Sequence, residues 1–423
     1  MTPAPAASST QFSPALSSPA QSSSAPASAS RPSWLVPLGL SALLAPLGLF
    51  SGCASMSDSS TAVSVSVRQF GIAQNGTPTR LWTVRGDGVA LDVTDLGATL
   101  VAVRTADRLG VVDDVVLGFD SVRGYESPAN QYFGCTTGRV CNRIGGARFV
   151  LDGTEYALTR NDGAHTLHGG GARALSRLSW RGEALRDGVR FTCRSNDGDE
   201  GFPGTLDVTV SYRLLSGGRI EVQSEARSDR RTPVNLTNHS YWNLGGTGAT
   251  TADDRRLASV LEHQLQLAAD HYTPVDDTLI PTGAIAPVAG TPLDFTTARP
   301  LSLWFDRVLD TATKGYDHNF VLRSANGLRP VARLWDPQSH RSLRVWTDQP
   351  GLQLYTGNFL NGQDGKQGRS YPQRSAVCLE TQHFPDSVNK PQFPTTILEP
   401  GATYRTVTVF ELSVADPVTA RSL

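Results

Sequence analysis

Lysine is nearly absent from this chain: Lys314, Lys366 and Lys390 are all of it, and arginine carries the remaining positive charge. No single arginine therefore stands out by identity. The formal net charge is -1 and only 18% of residues are charged, so no basic field exists to draw a nucleic acid. Methionine occurs only at Met1 and Met56. Sustained helical periodicity is scarce, and so are long apolar runs. The one apolar stretch, near the N-terminus, is proline-broken and too short for a comfortable membrane span. Turn material is plentiful, with 40 glycines and 26 prolines, which favours a turn-rich β protein.

From Val63 onward the pattern is that of strands. Val89, Leu91 and Val93 alternate with small or polar neighbours, and Leu206, Val208, Val210, Tyr212 and Leu214 alternate with Asp207, Thr209, Ser211 and Arg213. Period two marks a sheet with one buried and one wet face. Further strands are expected around Ile220–Val222, Leu343–Val345 and Val407–Leu412, separated by turns such as Gly86-Asp87-Gly88 and Ser216-Gly217-Gly218. The expectation is an all-β protein, a large β-sandwich occupying 62–418 as one domain. Residues 253–269 fit helical spacing as well as strand spacing, and pattern alone leaves them open.

The first 56 residues are different material. Residues 1–30 are mostly Ala, Ser and Pro without charge, a composition expected to be disordered. Arg31, the apolar stretch and the exit Phe50-Ser51-Gly52-Cys53 together read as an export signal. Those last four residues resemble a bacterial lipoprotein signal box, in which the cysteine becomes the lipidated first residue. Phe50 departs from the usual leucine, and Arg31 is the sole positive charge upstream. The resemblance implies a periplasmic or outer-membrane lipoprotein held through Cys53. The alternatives are plain secretion, or a cytoplasmic protein if translation starts at Met56.

Cys135, Cys141, Cys193 and Cys378 remain, and four cysteines allow three pairings that sequence cannot choose among. Cys135 and Cys141 with His165 and His168 fit no standard zinc spacing, so no metal is expected and buried free thiols are.

Several polar clusters interrupt the strands. Gly138 to Gly145 holds Asn142 and two arginines in a turn. His165 to Gly171 ends in three glycines that let backbone approach a ligand, although no helix pattern follows to make a phosphate cradle. Asn235 to Leu244 sets His239 among polar groups beside Tyr241 and Trp242, a reasonable general acid. Gly315 to Phe320 and Gln353 to Phe359 each read as turns taken alone. Finally the apolar run Ala376 to Leu379 delivers Glu380 into a polar segment closed by Pro385. A carboxylate at a buried strand end is partly desolvated, which raises its pKa and makes it a better base once ionised.

In this order the segments GRVCNRI (138–144), LHGG (167–170), NLTNHSYWNL (235–244), YTPVDDTLIPTG (272–283), GTPLDF (290–295), YDHNF (316–320), YTGNFL (355–360) and CLETQHFPDSVN (378–389) resemble the aldose 1-epimerases, or galactose mutarotases. The resemblance runs from about Val63 to the C-terminus. It implies a galactose mutarotase-like supersandwich with a sugar cleft across one sheet, and at least partial strand for 253–269. By the same resemblance Glu380 is the catalytic base and His239 the catalytic acid, while Asn142, Arg143, His168, Asp317 and Gln353 bind the sugar. The implied substrate is a free monosaccharide such as glucose or galactose, with no cofactor. The implied chemistry pairs an ionised Glu380 with a protonated His239. The competing readings are a hexose-phosphate 1-epimerase of the same fold and a non-catalytic surface carbohydrate-binding protein. Preferred aldose and oligomeric state are not legible.

Overall fold

A computed structural model of the chain describes residues 62–248, 255–323, 326–416 and 423. The leader, the apolar stretch and Cys53 lie outside the described residues, as do Asp253 and Asp254. Among the described residues, α-helix is limited to Val122–Glu126 and Asp306–Leu309; strands dominate the rest.

The largest sheet has nine strands, in the order Arg181–Ala184, Gly188–Ser195, Leu206–Leu215, Arg219–Ser228, Tyr404–Val414, Arg341–Thr347, Arg329–Trp335, Gln264–Leu267 and Arg299–Pro300. The alternation read at Leu206 to Leu214 is visible directly: all five apolar side chains are buried, while Asp207 is exposed and Thr209 and Arg213 are half-buried. Fully burying each such side chain is worth about 1.5–3 kcal/mol. The last long strand, Tyr404–Val414, sits in the middle of this sheet, between Arg219–Ser228 and Arg341–Thr347.

A six-stranded sheet runs Tyr241–Trp242, Val377–Gln382, Gly351–Tyr355, Asp317–Leu322, Ala269–Thr273 and Ala286–Pro287. One face is apolar: Val377, Leu379, Leu352, Leu354 and Phe320 join the main core together with Val208, Val210 and Phe410 of the large sheet. Period two then sends Glu380 and Gln353 to the opposite face. That face is the floor of the cleft. A five-stranded sheet of consecutive strands, from Ser64–Ile72 to Val112–Asp114, adds Val84, Leu91 and Val93 to the same core.

The open segment 253–269 forms no helix over its described part and ends in Gln264–Leu267, with Ala269–Thr273 following. Its helically spaced residues serve separate cores, Leu257 packing in one cluster and Val260 and Leu265 in another. No single helix face could do both. All four cysteines of the described residues are free thiols. Cys135 donates to the Tyr132 carbonyl and Cys141 to Gln382 Oε1, and burial pushes Cys135 up to about 12. No disulfide connectivity needs choosing.

Candidate active site

Register builds the centre of the site. Tyr241 pairs with Cys378 in an antiparallel ladder, so two residues back on one strand and two forward on the other set His239 opposite Glu380. On its other flank Glu380 pairs with Gln353. His239 is fixed further by backbone bonds, its N–H donating to Cys135 O at 3.0 Å and its carbonyl accepting from Gly134 N–H at 2.9 Å. The result is a contact of 3.6 Å between His239 Nε2 and Glu380 Oε1, with both residues buried.

Asp317 lies one strand beyond Gln353 and accepts from Gln353 Nε2 at 2.6 Å. The remaining polar groups arrive on a short ladder joining Arg143–Ile144 to Thr166–Leu167. Asn142 and His168 flank that ladder, and both have left-handed backbones, with φ of 58° and 51°. They bond reciprocally: Asn142 N–H donates to His168 Nδ1 at 3.2 Å, and His168 N–H donates to the Asn142 carbonyl at 2.9 Å. A neutral imidazole that accepts at Nδ1 carries its proton on Nε2, so His168 offers a donor. Arg143 is held by Asp162, Nε to Oδ2 at 2.7 Å.

All seven residues expected to act, Glu380, His239, Asn142, Arg143, His168, Asp317 and Gln353, line one cleft of about 700 Å³, within the usual range for small-molecule sites. The cleft also presents Tyr355 and Phe359 of the YTGNFL segment, and Tyr132, Asp162 and Arg177, which sequence reasoning did not single out. Trp242 faces away, packing on Phe410 in the core. Tyr241, two residues from His239 and therefore on its face, stacks on that imidazole at 5.1 Å and 16°, and Tyr132 stacks on it at 6.0 Å and 21°.

Burial is the dominant electrostatic force. It pushes Glu380 well above the usual carboxylate range, with the Asp317 charge adding to the rise and Arg143 opposing it. It lowers His239 to about 4, and lowers His168 well below the usual histidine value, aided by His239 and Arg143. Desolvation disfavours either charged form. Burial therefore works against the expected pair of carboxylate and imidazolium in the free site.

Two ligand classes fit poorly. His168, His239 and Glu380 bring possible metal-ligand atoms within 4.8 Å of one another. The His168 nitrogen left for the cleft carries a proton, however, and a metal needs the lone pair. The cysteine and histidine set weighed from sequence is engaged elsewhere, with His165 Nδ1 accepting from Gly146 N–H at 3.0 Å. Phosphate fares no better in the glycine turn. Its free N–H groups are taken by Glu200, from Gly171 at 2.8 Å and from Arg173 at 2.5 Å.

Comparison with known proteins identifies the family. Residues 80–411 match the family described as aldose 1-epimerase. The chain is 44% identical to galactose mutarotase of Rattus norvegicus, over 84% of this chain and all of the rat protein. It is 36% identical to aldose 1-epimerase of Escherichia coli, over 80% of this chain and 97% of that protein. Among solved structures, an aldose epimerase homologue from C. elegans superposes with a TM-score of 0.71 at 31% identity, covering 78% of this chain and 97% of that one. Galactose 1-epimerase from Lactobacillus acidophilus gives 0.70 at 25% identity, covering 84% and 100%. With fold, cleft and sequence in agreement over the whole β domain, the chain belongs to the aldose 1-epimerase family.

Proposed function

We propose that the protein is an isomerase, a mutarotase that interconverts the α and β anomers of free aldoses such as galactose and glucose. The observation that carries this reading is the 3.6 Å contact of His239 Nε2 with Glu380 Oε1 at the floor of a sugar-sized polar cleft. A cyclic aldose is a hemiacetal whose anomeric hydroxyl and ring oxygen share one carbon. Two groups that act on neighbouring oxygens must themselves be neighbours, and these are.

Glu380, ionised, takes the proton of the anomeric hydroxyl as the bond from the anomeric carbon to the ring oxygen breaks. The bond pair goes to the ring oxygen, which takes a proton from His239. The aldehyde end rotates and the ring recloses on the other face by the same transfers reversed. Each positioned transfer is typically worth about 10²–10⁴-fold. The reaction needs a charged pair, a shift of the proton toward the imidazole that burial opposes in the free site. An anomeric hydroxyl donating to Glu380 favours that shift, because a hydrogen bond to the charged form lowers a carboxyl's pKa. His168 Nε2–H, Arg143, Asn142, Asp317 and Gln353 hold the remaining hydroxyls. No step transfers electrons or water.

Polarimetry of freshly dissolved α-D-galactose or α-D-glucose tests the reading. Relaxation faster than the buffer blank and proportional to enzyme supports it; relaxation at the blank rate overturns it and favours a binding protein. Lipid anchoring at Cys53 is a separate proposal supported by the Phe50-Ser51-Gly52-Cys53 exit alone. Cys53→Ser should move the protein from the membrane fraction to the soluble one, and unchanged fractionation would count against it.

A further inference from the structure

A buried catalytic histidine ordinarily gives its second ring nitrogen a hydrogen-bond partner that fixes the ring and supports its charged form. His239 has none: Nδ1 is buried without a protein partner. The nearest carboxyl, that of Glu380, lies at the other nitrogen, and in the reaction it receives a proton from the sugar. His168 meets the ring edge-on at 5.0 Å and 70°, presenting a neutral ring. What His239 has instead is two phenol faces, Tyr241 and Tyr132, near-parallel to its own plane. Both hydroxyls are directed elsewhere, Tyr241 Oη donating to Gln131 O at 2.8 Å and Tyr132 Oη accepting from Asn161 Nδ2 at 3.4 Å. Tyr132 is kept in a left-handed backbone, φ 64°, with its ring also against His168 at 4.5 Å.

Building on the mutarotase reading, we infer that the ring faces of Tyr132 and Tyr241 are positioning elements for His239, holding the imidazole in plane and stabilising its protonated form by cation–π attraction. The negative face of an aromatic ring attracts a cation within about 6 Å of its centroid, more strongly where water is excluded. Two such faces oppose the desolvation that otherwise keeps the imidazole neutral. The other groups facing His239 do not supply this. Glu380 must be free to take the sugar proton, His168 is neutral, and the Cys135 and Cys378 thiols behind them are kept protonated by burial. Arg143 and Asp317 act on Glu380, with opposite sign.

The test compares Tyr132→Leu, Tyr132→Phe and pentafluorophenylalanine in place of Tyr132, a ring of nearly the same shape whose face is no longer negative. The pH profile of kcat is followed by polarimetry, and the His239 imidazole by NMR titration. The acid must be protonated, so activity is lost as pH rises through its pKa. Losing a stabilising face lowers that pKa and moves the alkaline limb to lower pH. The expected result is an alkaline limb and a His239 titration displaced by about one unit in the leucine and pentafluoro variants. The expected kcat loss is about tenfold with KM within about twofold, and phenylalanine should restore both. A His239 titration unmoved in the pentafluoro protein overturns the inference, whatever the activity. A wild-type protein without mutarotase activity overturns the parent reading and leaves the NMR outcome to decide this one.

Discussion

Gln353 and Glu380 stand directly opposite one another on adjacent strands, yet neither side chain bonds the other. Gln353 gives its amide proton to Asp317. Its Oε1 and Glu380 Oε2 are both buried without a protein partner. Unsatisfied buried oxygens cost about 1–3 kcal/mol each. A fold that keeps two side by side is storing binding potential for hydroxyl donors, and a sugar ring carries those all round its edge.

Glu380→Gln should therefore remove catalysis without removing the site. The expected loss is about 10²–10⁴-fold in kcat, with sugar still bound in calorimetry. An activity within a few-fold of wild type would mean that another group takes the anomeric proton.

Stability against pH separates the same two groups. His239 and His263 are both lowered to about 4 by burial, so the native state binds fewer protons than the unfolded state as pH falls below the usual histidine value of about 6.5. Each costs stability on acidification through that window. Glu380 is raised, so it costs stability as pH rises above about 4.3, the unfolded value. Denaturant midpoints between pH 7 and pH 5 should fall less steeply in His239→Gln and more steeply in Glu380→Gln than in wild type. Parallel curves would contradict the assigned directions.

His168 should act as a donor and not as a metal ligand. Prolonged dialysis against a chelator is expected to leave kcat unchanged, since the ring nitrogen facing the cleft carries a proton. His168→Phe should raise KM about fivefold or more, the range of one hydrogen bond. Activity restored only by added zinc would reverse this assignment.

Gly169 is a backbone requirement of the site. Its φ is 87°, and a Cβ there would lie 1.9 Å from the Gly138 carbonyl oxygen. Gly169→Ala should displace the neighbouring His168 and lower both the melting temperature and kcat; a variant with wild-type melting and kinetics would show that the turn can move aside.

Much of the site was legible because polar clusters interrupt the strand alternation and, taken in order, resemble the aldose 1-epimerases. The pattern marked the segments; the resemblance singled out Asn142, Arg143, His168, His239, Asp317, Gln353 and Glu380 within them, and the cleft gathers all seven. What sequence did not show are contacts between distant segments. Tyr132 sits in an ordinary-looking Asn-Gln-Tyr-Phe-Gly turn, and only the fold lays its ring on an imidazole 107 residues later (239 − 132). The company of His239 was half misread for a simpler reason. Tyr241 and Trp242 are neighbours in the chain, and successive strand residues face opposite ways, so one lines the cleft and the other enters the core. The lowering of His239 was also hidden, since desolvation depends on how completely the sheets close over it.

The place of the Tyr404–Val414 strand makes it a keystone of the largest sheet. Without it Arg219–Ser228 and Arg341–Thr347 would each present an unpaired strand border. Open borders of this kind recruit other copies, so damage to this one strand would be felt as aggregation rather than as a change at the cleft.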